Sequence, residues 1–255
     1  MAGFKLSEVN ASVRAVADLA SAGNTDLVNA AQISASIGKA FGIQADDFTR
    51  ISDVLAKTAT QSNVTVESLG ESFKLLGPVA ASLGQPLEEI AAAVGALGNA
   101  GIRGSRTGTG LARAFTELLE KSDDFDEKLK SIGSSFAKID PTRNSLSDIV
   151  REFERLKKAG DLDTEDFFSL FDQRSARVVV SLINQGSESL DKLNDAALKS
   201  AGAAESIRKQ RLDTVAGDYK IALSALQTTL IELGGTAAPV LRQILKFAAR
   251  FFRVI

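Results

Sequence analysis

The sequence predicts an all-α protein, and three observations carry that prediction. Apolar residues recur at intervals of three and four in nearly every segment, which is the spacing of one helical face. Alternating β-branched runs are nearly absent. The one strand-like triplet, Val178-Val179-Val180, lies inside a helical pattern. The four prolines are few, and the periodic segments are separated by glycine stops and Ser, Thr or Asp starts.

In chain order, Leu6, Val9, Val13, Val16 and Leu19 define a first helix ending before Gly23. Thr25 is the expected cap of a second, carrying Leu27, Ile33, Ile37 and Phe41 inward and stopped by Gly42. Asp46 or Asp47 starts a third, with Phe48, Ile51 and Leu55 inward. Thr65 starts a fourth, with Leu69, Phe73 and Leu76 inward, and Gly77-Pro78 is expected to break it. Val79 to Leu83 then forms a short turn ended by Gly84.

The central stretch runs from Ile90 to Leu119 and reads as two helices joined by a short loop. Pro86 and Glu88-Glu89 start the first, because proline suits a first helical turn and acidic groups complement the positive helix end. Ile90, Val94 and Leu97 repeat among alanines and glycines, which makes a thin helix that neighbours can approach closely and that needs tertiary contacts to persist. Gly101 stops it. Gly104-Ser105 turns the chain, one of the two glycines requiring positive φ, and Leu111, Phe115 and Leu118 define the next helix.

Beyond it, Ser122 is the expected cap of a helix with Phe125, Leu129 and Ile132. Residues 133–144 are the least regular, with Phe136 and Ile139 as anchors and Pro141 forbidding a continuous helix. Ser145 with Asp148 resembles a capping box and opens a helix bearing Leu146, Ile149, Phe153 and Leu156, closed by Gly160. Thr164 caps the next, with Phe167, Phe168 and Phe171 inward. Gln173 to Asn184 buries Val178 and Leu182, and Ser187 caps a helix with Leu190, Leu193 and Leu198 inward. No fixed-period repeat is present.

The last part differs. Between Ala203 and Leu233 there is no proline and a single glycine, Gly217. Leu212, Val215, Tyr219, Ala222, Leu226, Thr229 and Leu233 alternate three-four spacing, a heptad seam that would run roughly 45 Å as a helix. That seam predicts association with further copies of the chain as parallel helices. Gly234-Gly235 interrupts it, and Pro239 starts a final basic amphipathic helix. The expected organisation is a compact helical region over 1–200, a long heptad-patterned helix over 203–233 and an amphipathic helix over 236–255.

Composition excludes several functions. The chain has 255 residues, no Cys and no His, which removes disulfides, thiol chemistry, the commonest general base and the commonest metal ligand. It has no Trp and one Tyr, so stacking platforms for single strands are not expected. A net charge of −2 gives no global attraction to nucleic acid or anionic lipid. No apolar run reaches the ~18 residues of a membrane span, and the N-terminus lacks the apolar block of a signal peptide.

Candidate chemistry is sparse. The run Gly104-Ser105-Arg106-Thr107-Gly108-Thr109-Gly110 is glycine-rich and opens a helix, but no Lys-Ser or Lys-Thr follows and no strand precedes, so it reads as an inter-helix turn and not a phosphate cradle. Arg103, Arg106 and Arg113 there can meet an acidic partner, or are simply solvated. Asp161, Asp163, Glu165 and Asp172 fit positions of a calcium-loop template, yet Asp166 stands where the template needs glycine, and an acidic first turn behind Thr164 explains them better. Arg242, Lys246, Arg250 and Arg253 form a basic stripe that suits an anionic membrane, a partner or solvent. No metal site, cofactor site or catalytic residue is predicted.

The stretch from Leu76 to Phe115 resembles the core region of tail tape measure proteins of tailed phages. That family shows a GPVAA turn, an LEE helix start, a small-residue helix and then NAGI-x-GS-x-x-GTALR. Gly77-Pro78-Val79-Ala80-Ala81, Leu87-Glu88-Glu89, Asn99-Ala100-Gly101-Ile102, Gly104-Ser105 and Gly108-Thr109 match. Gly110 departs, standing where the family has alanine, and should weaken the start of its helix slightly. Ser200-Ala201-Gly202-Ala203-Ala204 and Gln210-Arg211-Leu212-Asp213-Thr214 resemble the family's link into its long helical rod. The resemblance covers most of residues 1–235.

It implies a non-enzymatic virion component, made in the host cytoplasm, that lies in the tail tube lumen or at the tail tip. It would set tube length during assembly and leave ahead of the DNA. Implied partners are further copies of itself in a small symmetric number, three or six, the tail tube, and tail tip or baseplate proteins, with host membrane contact at ejection. No sequence-specific nucleic-acid binding is implied. Because members are far longer, the resemblance also implies that this chain is a piece or the ordered part of a longer protein. Two rivals from other classes are a membrane-active helical protein forming part of a DNA-ejection channel, supported by the Ala/Gly-rich helices and the basic C-terminal helix, and a peptidoglycan hydrolase, for which no domain is visible.

Overall fold

Among the described residues, 6–213, the computed structural model holds twelve α-helices and no strand. They are α1 (Leu6–Gly23), α2 (Leu27–Phe41), α3 (Phe48–Gln61, entered through a 3-10 turn at Ala45–Asp47), α4 (Val66–Ser82), α5 (Leu87–Asn99) and α6 (Ser105–Glu120). There follow α7 (Ser122–Ser131), α8 (Leu146–Ala159), α9 (Thr164–Leu170), α10 (Gln173–Gln185), α11 (Ser187–Leu198) and α12 (Ala203–Leu212). The chain divides into a compact unit, Met1–Arg208, and a second unit, Lys209–Ile255, of which only the first few residues are described. Of the predicted heptad seam, Leu212 alone is described. Val215, Tyr219, Ala222, Leu226, Thr229 and Leu233 lie outside the described residues, as do Arg242, Lys246, Arg250 and Arg253.

Helix α5 is the axis of the compact unit. Every residue from Leu87 to Gly98 is buried, including Glu88 and Glu89. A helix enclosed on all sides cannot be amphipathic, and its Ala-Gly composition follows from that: α3, α10 and α11 pack against it, and bulky side chains would hold them off. Ile90, Val94 and Leu97 are fully buried, each contributing roughly 1.5–3 kcal/mol of transfer free energy.

The apolar side chains form two clusters. One gathers residues of α1–α6, α10 and α11 around α5. The other is aromatic: Phe153 packs edge-on to Phe167 and Phe171, with ring centroids 5.3 and 6.2 Å apart, and Phe125 lies 5.0 Å from Phe171. Helices α6 and α10 carry both clusters on adjacent stripes. Leu111 and Phe115 face the first while Ala114 and Leu118 face the second; likewise Val178 and Leu182 against Val179 and Ile183.

Several elements differ from the sequence expectation. Helix α4 runs straight through Gly77-Pro78. Pro78 and Lys74 are both exposed, so the Lys74 carbonyl that Pro78 leaves without a donor faces water, and the buried Phe73, Leu76 and Ala80 keep the helix seated on both sides. Val13, Leu27, Phe168 and Leu198, expected inward, are largely exposed, and Ala197 takes the inward place on α11. Gly110 does more than weaken its helix: a Cβ there would collide with Val178 of α10, so the missing side chain is what lets α6 and α10 meet.

The starts also shift by one residue in places. Asp26 caps α2, accepting from the Asn29 N–H at 2.8 Å, where Thr25 was expected. Asp163, not Thr164, caps α9 in a reciprocal capping box with Asp166. That box uses Asp163 of the calcium-loop template together with Asp166, the residue that stands where the template needs glycine. Ser122 and Ser187 are first helical residues and cap nothing. Thr65 and Ser145 cap α4 and α8 as read from sequence.

Candidate functional site

The buried carboxylates Glu88 and Glu89 are held by structural partners. Arg50 donates to both Glu88 oxygens, at 2.7 and 2.9 Å. Burial pushes the Glu88 carboxyl up, but this bidentate pair outweighs burial and holds it below its ordinary value. Glu89 accepts from the Ser147 N–H at 2.6 Å, at the start of α8, yet burial dominates and raises its pKa.

The same device recurs across the molecule: a side chain from one helix or loop caps the N-terminus of a helix elsewhere in the chain. Gln85 accepts from the Leu146 N–H and donates to the carbonyls of Pro141 and Asn144, fixing the irregular 139–146 segment. Asp53, in the middle of α3, accepts from Gly202 and Ala204 N–H at 2.7 and 2.9 Å and so ties down the start of α12. Glu117 on α6 accepts from the Asp172 N–H and the Ser175 hydroxyl at the start of α10. Glu154 on α8 accepts from the Ser187 N–H and hydroxyl at the start of α11. First-turn N–H groups of a helix have no intrahelical acceptor, and where the start is buried against a neighbour the neighbour must supply one. Among the described residues no group of three or more acidic side chains is placed to hold a metal ion.

The surface feature that remains lies at the α5–α6 turn. Gly101 and Gly104 both take positive φ, +84° and +61°, the conformation that favours glycine. A side chain at Gly104 would also collide with the Glu71 carboxylate. Ser72 of α4 donates to the Gly104 carbonyl at 2.9 Å, and Thr107 donates to the Ile102 carbonyl at 2.8 Å, so the turn is fixed from both sides. Ser105 opens α6 and is exposed. Arg103 and Arg106 project from this rigid turn into solvent. Arg113, three turns on, is engaged within the molecule by Glu117 and Asp172.

Beside the turn opens a cleft of about 600 Å³. Its floor is Ile102, Gly110 and Val178, and its walls carry Arg106 from α6 with Arg174 and Arg177 from α10. Sequence reading found Arg103 and Arg106 but not Arg174 and Arg177, which stand about seventy positions further on. Their spacing of three on a helix is the only local signal, and it does not say which helix they meet.

The model of the phage-related minor tail protein family matches residues 1–173. The tape measure protein of Pneumococcus phage Dp-1 is 29% identical over 248 residues, which is 95% of this chain and 21% of that protein. The probable tape measure protein of Escherichia phage P2 is 25% identical over 255 residues, 98% of this chain and 31% of that protein. The chain thus spans between about a fifth and a third of the length of these relatives. No solved structure matches. The family match covers more than half of the chain and includes α5, α6 and the turn that bears the tape measure motifs: the chain belongs to the phage-related minor tail protein family.

Proposed function

We propose that this chain is the helical core segment of a tape measure protein, a non-enzymatic part of the tail that acts with the tube and tip proteins to set tail length. The supporting observation is similarity to two tape measure proteins across nearly the whole chain. The physical reading is that a helical rod is a ruler, since its length is proportional to its residue count. The compact unit then serves as a docking module, and the heptad-patterned segment is part of the rod. In this reading the protein lies in the tube lumen and leaves before the DNA. Against the membrane-active rival, no helix among the described residues is long and apolar enough to cross a membrane.

Tail length is the direct test. Inserting whole heptads after Leu233 in the full-length protein should lengthen tails by about 1.5 Å per residue, measured on electron micrographs of the particles. Unchanged tails from assembled particles would exclude the ruler role for this part of the chain.

Copy number is a separate matter. The seam from Leu212 to Leu233 supports parallel association of three or six copies about the tail axis. Leu226→Asp should weaken association in sedimentation of the full chain, and Lys220→Asp, off the seam, should matter much less. A monomer at high concentration in all three proteins would exclude the seam as an interface.

A further inference from the structure

We propose that the arginine cleft between α6 and α10 is a docking site for an acidic peptide segment of a partner protein. The observation is where the unpaired arginines lie. Among the described residues, Arg14, Arg50, Arg113, Arg143, Arg151, Arg155 and Arg208 each form an ion pair with a carboxylate. Arg103, Arg106, Arg174 and Arg177 form none. Three of these four line one cleft, and Arg103 is in the turn at its edge. Among the described residues the other arginines are engaged within the molecule, and these four are left together.

Clustered guanidinium groups repel one another, and their planar forks match carboxylate or phosphate oxygens two at a time. Their convergence from two helices over an apolar floor of Ile102 and Val178 suits side chains that carry both methylenes and charge, as glutamate does. Thr109 also lines a second depression, with Leu75, Ala112, Arg113, Thr116, Glu117 and Glu120, where Leu75 is 42% exposed. A fitting occupant therefore presents carboxylates to the arginines and an apolar side chain one to two turns further on.

A nucleic-acid backbone fits less well. A phosphate track needs continuous positive charge, but Glu71 stands at one edge of the turn and Glu120 in the second depression. No aromatic ring lines either depression to stack a base. The rigid turn matters here, because an arginine held on a fixed backbone loses less freedom on binding. This inference makes no use of the ruler reading and is tested apart from it.

The test is fluorescence anisotropy on the full chain with a labelled peptide of repeated Glu-Glu-Leu. The peptide should bind, with affinity falling as salt rises, and its Gln-Gln-Leu counterpart should not. Arg174→Glu with Arg177→Glu should weaken binding at least about tenfold. Lys192→Glu with Lys199→Glu, the same charge change at exposed positions on α11 and just past its end, should change it less than about twofold. All four positions are exposed, and circular dichroism checks that both variants remain helical. Absent peptide binding overturns the proposal, as does equal weakening by the two double variants. Tighter binding of a short DNA duplex through the same arginines would reassign the cleft to nucleic acid. Sedimentation showing self-association that the arginine variant abolishes would reassign it to a second copy.

Discussion

Gly108→Val should destabilise the helical unit by about 3 kcal/mol or more, at the upper end of overpacking effects. Gly108 is where α6 crosses α4. A Cβ there would stand 2.5 Å from the Ser72 carbonyl oxygen and 3.0 Å from its Cα. Both obstacles are backbone, so no rotamer change relieves them. Nor can α4 back away easily, since the Ser72 hydroxyl holds the two helices together through the Gly104 carbonyl at 2.9 Å. The opposing term is helix propensity: replacing glycine inside a helix with alanine gains about 1 kcal/mol, and a β-branched residue gains less. The clash wins. For a unit of this size the melting temperature should fall by roughly 6–12 °C, read by thermal unfolding. Arg106→Ala, two residues earlier but exposed and unpaired, should stay within about 0.5 kcal/mol of the parent. A Gly108→Val protein that melts with the parent would mean that α4 and α6 do not cross at this distance.

Acid should destabilise the protein across the range where its paired carboxylates Glu152, Glu154 and Asp172 protonate. Glu154 is held at about 2 by Lys158 and by the Ser187 hydroxyl and N–H at the start of α11. Glu152 is likewise held at about 2, by Arg155 first and then, against burial, by the Ser134 hydroxyl and Lys138. Burial pushes Asp172 up, but the N–H groups of Ser175 and Arg174 outweigh it and leave the carboxyl below its ordinary value. A carboxyl whose pKa is lower folded than unfolded stabilises the fold above the unfolded value and loses that contribution as pH falls through the folded one. The window is therefore about 4.5 down to about 2. Glu89 works in the opposite sense, because burial raises its pKa and protonation relieves it.

With no histidine in the chain, stability should be nearly flat between about pH 5 and 8. It should then drop by at least about 5 °C in melting temperature between about pH 5 and 3. Glu154→Gln removes the charge but keeps the shape, and should lower the melting temperature at neutral pH while making the acid limb shallower. A melting temperature that is constant down to about pH 3 would contradict the stabilising roles assigned to these carboxylates.

What the sequence determined by itself was local. The intervals of three and four placed the helices, including α10 through its valine triplet. The Ala-Gly composition marked α5 as a thin helix that neighbours can approach closely. Thr65 and Ser145 announced their helix starts, and Gly101 and Gly104 marked the turn. Each of these is written within a few residues, because helical hydrogen bonds, first-turn caps and positive φ are satisfied by near neighbours in the chain.

Tertiary structure decided what depends on distant neighbours. Pro78 leaves α4 unbroken because packed neighbours hold both halves in line and water meets the orphaned carbonyl. Val13, Leu27, Phe168 and Leu198 face outward because a stripe of apolar residues says that a helix has a buried face but not where the partner helix stops covering it. Asp53, Glu117 and Glu154 look like surface acids until another helix start arrives at each of them. Arg106, Arg174 and Arg177 share a cleft because α6 and α10 cross at Gly110, and a crossing is fixed by the shapes of two surfaces that the chain order keeps apart.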